Sequence, residues 1–270
     1  MRKSIIGLLA IALFATVSPA LAQDDDGLGI TITGGASLVS DYRFRGISQS
    51  GEDFAIQGSV TATHKSGFYA GFWGSSNTIG AGQGTEIDVI GGFSHEIIPG
   101  LTGDIGVTYY LYPNTSHLLA NNELVEPYAA LSTTVGPVSG KVGFAWAPKQ
   151  DYFMAADGKR YDNTYLWGDA SVGVPNTPVK LTGHVGWTSN HYNRGVFFDD
   201  VTGDSRADII DYGVGASVSY KVLTFGVNFV STDVPKRYRQ FGESVREGLG
   251  GTTHYLASDN TVVFSLGAAF

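Results

Sequence analysis

The sequence predicts an all-β fold, a 12-stranded antiparallel transmembrane β-barrel, and three observations predict it. Apolar and polar residues alternate with period two, the connections are short and long by turns, and the last segment stops on an aromatic. Period two is the strand signal, because successive side chains point to opposite faces. Over 258–270, Val262, Phe264, Leu266, Ala268 and Phe270 share one face, while Thr261, Ser265 and Gly267 share the other. Such a strand suits a barrel whose apolar face meets lipid and whose alternate face meets the lumen. The edge strand of a soluble sandwich is the competing reading. It gives no reason for loop lengths to alternate.

Taken in order, the first segment, 28–45, carries Leu28, Ile30, Ile32, Leu38, Tyr42 and Phe44 on one phase. Thr31, Thr33, Asp41, Arg43 and Arg45 take the other. The second, 53–64, sets Phe54, Ile56, Val60 and Ala62 against Asp53, Gln57, Ser59 and Thr61. Segments 67–75, 85–96, 101–112 and 123–135 follow, with Ile105, Val107 and Tyr109 opposing Asp104, Thr108 and Tyr110. Then come 138–147, 164–174, 179–188, 209–220, 222–230 and 260–270, with Val142, Phe144 and Trp146 opposing Lys141 and Gly143. Odd-numbered segments lead into the longer connections, at 46–52, 76–84, 113–122, 148–163, 189–208 and 231–259. Even-numbered ones lead into tight turns at Lys65-Ser66, Pro99-Gly100, Gly136-Pro137, Asn176-Thr177 and Lys221, which carry Pro, Gly and Asn as turns require. Turns on one rim, loops on the other and an even strand number are the outer-membrane pattern. Trp146 and Trp187 near one rim, and Phe68, Phe93, Tyr220 and Phe270 near the other, match two interfacial belts.

The N-terminal residues point to export. Arg2 and Lys3 precede an apolar run over 5–17 and the small-residue pattern Ala20-Leu21-Ala22, so residues 1–22 read as a signal peptide and 23–270 as the barrel. No other stretch nears the roughly 18 apolar residues of a spanning helix. Without Arg2 and Lys3 the remainder holds 15 basic and 25 acidic residues, a net charge of −10, which argues against nucleic acid as partner. There is no cysteine, so disulfides and thiolate metal sites are excluded. The 37 glycines sit largely inside alternating segments, where they let backbones or lumenal side chains crowd together.

The block Ser40-Asp41-Tyr42-Arg43-Phe44-Arg45-Gly46-Ile47-Ser48-Gln49-Ser50, then Ala55-Ile56-Gln57-Gly58 and Ser66-Gly67-Phe68-Tyr69-Ala70-Gly71-Phe72-Trp73, resembles the opening of the TorF porin family. Glu86 and Asp88 before Gly91-Gly92, and Tyr110 and Tyr112 before Pro113, continue the likeness across the chain after the signal peptide. The resemblance implies an outer-membrane barrel with a channel role. It assigns no solute and no functional residue.

The inward phase carries eight acids, Asp41, Asp53, Glu86, Asp88, Asp104, Glu126, Asp169 and Asp211, against Arg43, Arg45, Lys141 and Lys180, plus His184. Twelve strands fall between barrels filled by side chains and those holding a wide aqueous channel. The acid excess favours cations or neutral solutes over anions. Alternatively, Arg43 and Arg45 staple the wall, pairing with Asp53 and with Glu126 or Glu86. Tyr69, Trp73, Tyr110, Tyr112, Tyr165 and Trp167 also face inward, as gap fillers or as a stacking track. No nucleophile, base and orienting group come together on the lipid face, so an enzyme is not expected. Asp199, Asp200, Asp204 and Asp208 crowd one loop without calcium-loop spacing, and no cofactor or metal is expected. Lys236, Arg237, Arg239 and Arg246 in 231–259 offer a weak contact to lipopolysaccharide phosphates. The expected role is passive diffusion of small hydrophilic solutes in the cell outer membrane, with membrane lipid, lipopolysaccharide and the barrel assembly machinery as partners. The alternative is a closed barrel acting through its loops as an adhesin or structural protein. In that case a loop must fold inward, and 231–259 is long enough.

Overall fold

In the computed structural model of the chain, residues 27–78, 84–113, 123–153, 159–190, 208–234 and 257–270 are described. The signal-peptide reading of 1–22, most of the acidic loop at 199–208 and the basic residues of 231–259 fall outside them.

Twelve strands close into an antiparallel barrel: β1 (Ile30–Val39), β4 (Ala55–His64), β5 (Phe68–Asn77), β6 (Gly84–Ile98), β7 (Leu101–Leu111), β8 (Glu123–Val135), β9 (Val138–Ala147), β10 (Asn163–Gly173), β11 (Val179–Asn190), β12 (Asp208–Tyr220), β13 (Leu223–Thr232) and β14 (Thr261–Ala269). Each strand pairs with its neighbours in sequence, and β1 meets β14 to close the ring. Every backbone donor and acceptor within the wall can therefore find a partner without water, which a lipid-embedded sheet demands. Two further short strands, β2 (Arg43–Phe44) and β3 (Ile47–Ser48), pair only with each other.

The alternation sorts the side chains as expected. Ile32, Val60, Phe72, Val89, Ile105, Val142, Phe144, Leu166, Val185, Val214, Phe225, Phe264 and Leu266 are all exposed on the outer wall. A belt of large apolar residues on the outside of a barrel suits contact with lipid. The five short turns each contain one residue in the left-handed region: Gly67, Gly100, Gly136, Asn176 and Lys221. Closure is finished by Phe270, whose backbone exchanges hydrogen bonds of 2.9 and 3.0 Å with Gly34. A Cβ on Gly34 would stand 2.8 Å from the Phe270 ring.

Inside, small residues face large ones across the ladder. Gly92 pairs with Tyr69, Gly106 with Tyr128 and Gly143 with Trp167. A Cβ on any of the three would press into that partner's ring or hydroxyl at 2.2 to 2.6 Å. The lumenal aromatics thus lie flat across the neighbouring strand, and only glycine leaves the room. This is the crowding that the glycine content signalled.

Among the described residues, the strand expectation departs from the structure at the end of the first segment. β1 ends at Val39 rather than continuing to 45. Residues 40–54 leave the wall and form an inward-folded loop built on the β2–β3 hairpin. The reason lies at its tip: Arg45 and Gly46 both have positive φ, 50° and 80°, the two-residue turn that matches hairpin twist.

Candidate functional site

The site is the half of the lumen nearer the long-loop rim, termed the outer half, where loop 40–54 meets the wall. The loop first holds itself together. Asp41 accepts hydrogen bonds from Arg43 Nε at 2.5 Å, Ser48 Oγ at 2.6 Å and Ser50 Oγ at 3.2 Å. Arg43 also donates to the carbonyls of Gly46, Ala257 and Asp259 at 3.1 to 3.2 Å, and to Glu52 at 3.2 Å. Arg43 is therefore spent within the loop and on the segment entering β14. Asp53 is exposed at the loop's base and pairs with neither arginine.

Arg45 reaches across the barrel. In the ring order, β8 and β10 stand on the wall facing the β1–β4 hairpin from which the loop hangs. There Arg45 donates to Glu126 Oε1 at 2.7 Å and to Asn163 Oδ1 at 2.8 Å. Its guanidinium lies 4.1 Å from the centroid of the Tyr165 ring and 4.7 Å from that of Phe44. Burial alone would lower the Arg45 pKa, but the Glu126 carboxylate and the nearby tyrosines outweigh it and raise it above the usual arginine range. The remaining Glu126 oxygen accepts from the Tyr110 hydroxyl at 2.9 Å. The tip also packs sideways, since a Cβ on Gly46 would stand 2.8 Å from Thr232 and 3.1 Å from Asp211. Tyr42 packs on Trp73 at 5.4 Å and Phe44 edge-on to Tyr110 at 6.2 Å. Burial and the neighbouring Glu86 and Asp88 push the Tyr42 hydroxyl well above its ordinary pKa, so it stays neutral.

Under this loop the wall is shut off from water. Glu86, Asp88, Tyr110 and Asp211 are each no more than 1% exposed. Glu86 accepts from Tyr112 at 3.2 Å through one oxygen, and among the described residues its other oxygen has no hydrogen-bond partner. Among the same residues neither oxygen of Asp88 has one. Asp211 accepts from the Tyr165 hydroxyl at 3.2 Å and lies 2.9 Å from His184 Nε2. His184 Nδ1 lies 2.6 Å from Asp169, so both ring nitrogens can donate to carboxylates.

The inner half is different. Asp104, Lys141, Asp169 and Lys180 are only partly buried there. Asp104 accepts from Tyr69 at 2.7 Å, and Tyr69 and Tyr128 meet hydroxyl to hydroxyl. Ten of the charged residues singled out from the sequence, the eight acids and two arginines, thus separate into three groups. Asp41, Arg43, Arg45 and Asp53 belong to the loop. Glu86, Asp88, Glu126 and Asp211 lie beneath it, and Asp104 and Asp169 face the more open inner half. Alternation did not single out Asn163 or Gly46. An Arg-Gly pair flanked by Phe44 and Ile47 was the available signal for the turn that uses Gly46.

Two solved porins share this architecture. A NanC porin superposes with a TM-score of 0.57 at 11% identity, over 88% of this chain and 98% of that one. A KdgM porin does so with a TM-score of 0.51 at 9% identity, over 88% and 97%. At such identities the likeness is one of fold. No curated protein matches the chain. The comparisons do not bring out the TorF family. The family model that matches, over residues 23–270, is described as a bacterial protein of unknown function (Gcw_chp), and the chain belongs to that family.

Proposed function

We propose that the protein is an outer-membrane channel for small hydrophilic solutes, passing cations and neutral molecules ahead of anions, with loop 40–54 setting the width of the passage. The observation that carries this reading is the pair of acids on β6. Among the described residues neither Glu86 nor Asp88 has a basic partner within ion-pair reach, whereas Arg43 and Arg45 are engaged by other carboxylates. Both are buried beneath loop 40–54, so they meet a solute where the loop moves aside, and uncompensated acids in the narrow, partly dehydrated passage then attract cations and repel anions. The partly exposed polar residues of the inner half support a hydrated path, since charged side chains there are cheap only beside water. The fold's likeness to porins agrees with a channel.

The filled outer half also favours a second reading, a closed barrel that acts through its outer loops. Single-channel recording of the purified protein in planar bilayers, with reversal potentials in asymmetric salt, separates the two. A cation-preferring conductance is expected, stronger at low salt because screening is weaker. Glu86→Gln combined with Asp88→Asn should lower the cation/anion permeability ratio without loss of insertion. An anion-preferring wild-type channel would refute the acid-cluster reading, and silence in every salt would favour the closed barrel.

A further inference from the structure

We propose that the pocket filled by Arg45 is a guanidinium-binding site of the channel, occupied by the loop's own arginine until a guanidinium-bearing solute exchanges with it. The inference rests on the channel reading above and names a solute class for it. The pocket is shaped for that group. Glu126 Oε1 and Asn163 Oδ1 accept from the two terminal nitrogens at 2.7 and 2.8 Å, and the Tyr165 ring covers one face at 4.1 Å. A planar fork with two acceptors and an aromatic face selects guanidinium over a compact, strongly hydrated ammonium. Three wall positions, Glu126 on β8 and Asn163 and Tyr165 on β10, supply everything except the Phe44 ring, so the pocket survives the loop's departure.

Departure without replacement is a different matter. The Glu126 side chain is 6% exposed and Tyr110 holds its second oxygen. Removing its cation would strand a buried carboxylate, which is strongly unfavourable. The loop therefore leaves most readily when another cation takes the place of Arg45. One feature eases the exchange. Arg45 sits at φ 50°, a left-handed conformation disfavoured for residues other than glycine, asparagine or aspartate. Cation entry and loop release become one step, with positive charge at Glu126 before and after.

The test uses the full-length mature protein in planar bilayers at constant ionic strength. Guanidinium chloride, well below denaturing concentrations, is titrated against sodium chloride and tetramethylammonium chloride. Wild type should show a saturable, several-fold rise in open probability with guanidinium alone. Arg45→Ala should be open in all three salts and lose the guanidinium-dependent rise. Arg45→Lys keeps the charge but not the fork, and should open at lower guanidinium concentrations than wild type; it carries the test should the alanine variant fail to insert. Equal responses of wild type to the three salts would overturn the site while conducting Arg45→Ala pores leave the channel reading standing. An undiminished guanidinium response in Arg45→Ala would also overturn it. No conductance from inserted wild type or either variant would overturn the channel reading itself.

Discussion

At the residue scale, the lumen is organised by contrasts of size and charge. Gly143 lies across the ladder from Trp167, and a Cβ there would come within 2.2 Å of the indole. Gly143→Ala must push that ring toward the axis, against the stacked Tyr165 at 5.6 Å. Overpacking of this kind costs about 1–3 kcal/mol. Urea unfolding of the detergent-solubilised barrel, followed by tryptophan fluorescence, should show a lower midpoint, and an unchanged midpoint would mean that the ring swings freely. The two arginines of the loop differ in the same concrete way. Arg43 is consumed by five acceptors in the loop, at its base and in the segment before β14, whereas Arg45 alone bridges to the far wall. From sequence both were inward residues of one strand with interchangeable acidic partners.

At the element scale, loop 40–54 and strand β14 make opposite demands. The loop must seat its tip, and Gly46 does so at φ 80° with Thr232 and Asp211 closing around it. Gly46→Val meets both a disfavoured backbone and a filled space, a loss exceeding about 1 kcal/mol on the backbone alone. The loop should then unseat, giving raised conductance and new protease sensitivity near residues 45–50, while the barrel still inserts. A variant as closed and resistant as wild type would show that Gly46 does not hold the tip. Strand β14 must instead close the ring. Phe270 lies over Gly34 and completes the β1–β14 seam, so Phe270→Asp should reduce the inserted, heat-modifiable species on a gel. Normal insertion of that variant would separate the terminal ring from assembly.

At the scale of the whole molecule, twelve strands joined in sequence order, with all short turns on one rim, give a wall with two distinct ends. The short-turn rim is expected in the periplasm and the loop rim outside, as in outer-membrane barrels generally. An epitope tag inserted within 231–259 should be reached by antibody on intact cells, and one at Gly136-Pro137 only after permeabilisation. The reverse pattern would turn the barrel over and place the arginine-held loop on the inner side. Plugging from the loop rim also divides the lumen by chemistry, a water-excluded acidic outer half and a more open inner half with Lys141 and Lys180 beside Asp104 and Asp169.

The wall was legible because a strand's side-chain period is two and lipid tolerates no charge on its face. Ile105, Val107 and Tyr109 could point only one way once Asp104 and Thr108 had to point the other. Strand positions, turn positions and the β14 closure follow from that local rule. The end of β1 did not, because Tyr42 and Phe44 continue the alternation past Val39 even though the chain has left the sheet. Period alone cannot distinguish a ring facing lipid from one turned into the lumen against Trp73 or Tyr110. Nor could it choose among acids for Arg45, since Glu126, Asn163 and Tyr165 lie 81 or more residues away in sequence. They converge on one guanidinium only because the ring closes and sets β8 and β10 across from the loop. The sequence by itself determined the barrel, and the tertiary closure decided what fills it.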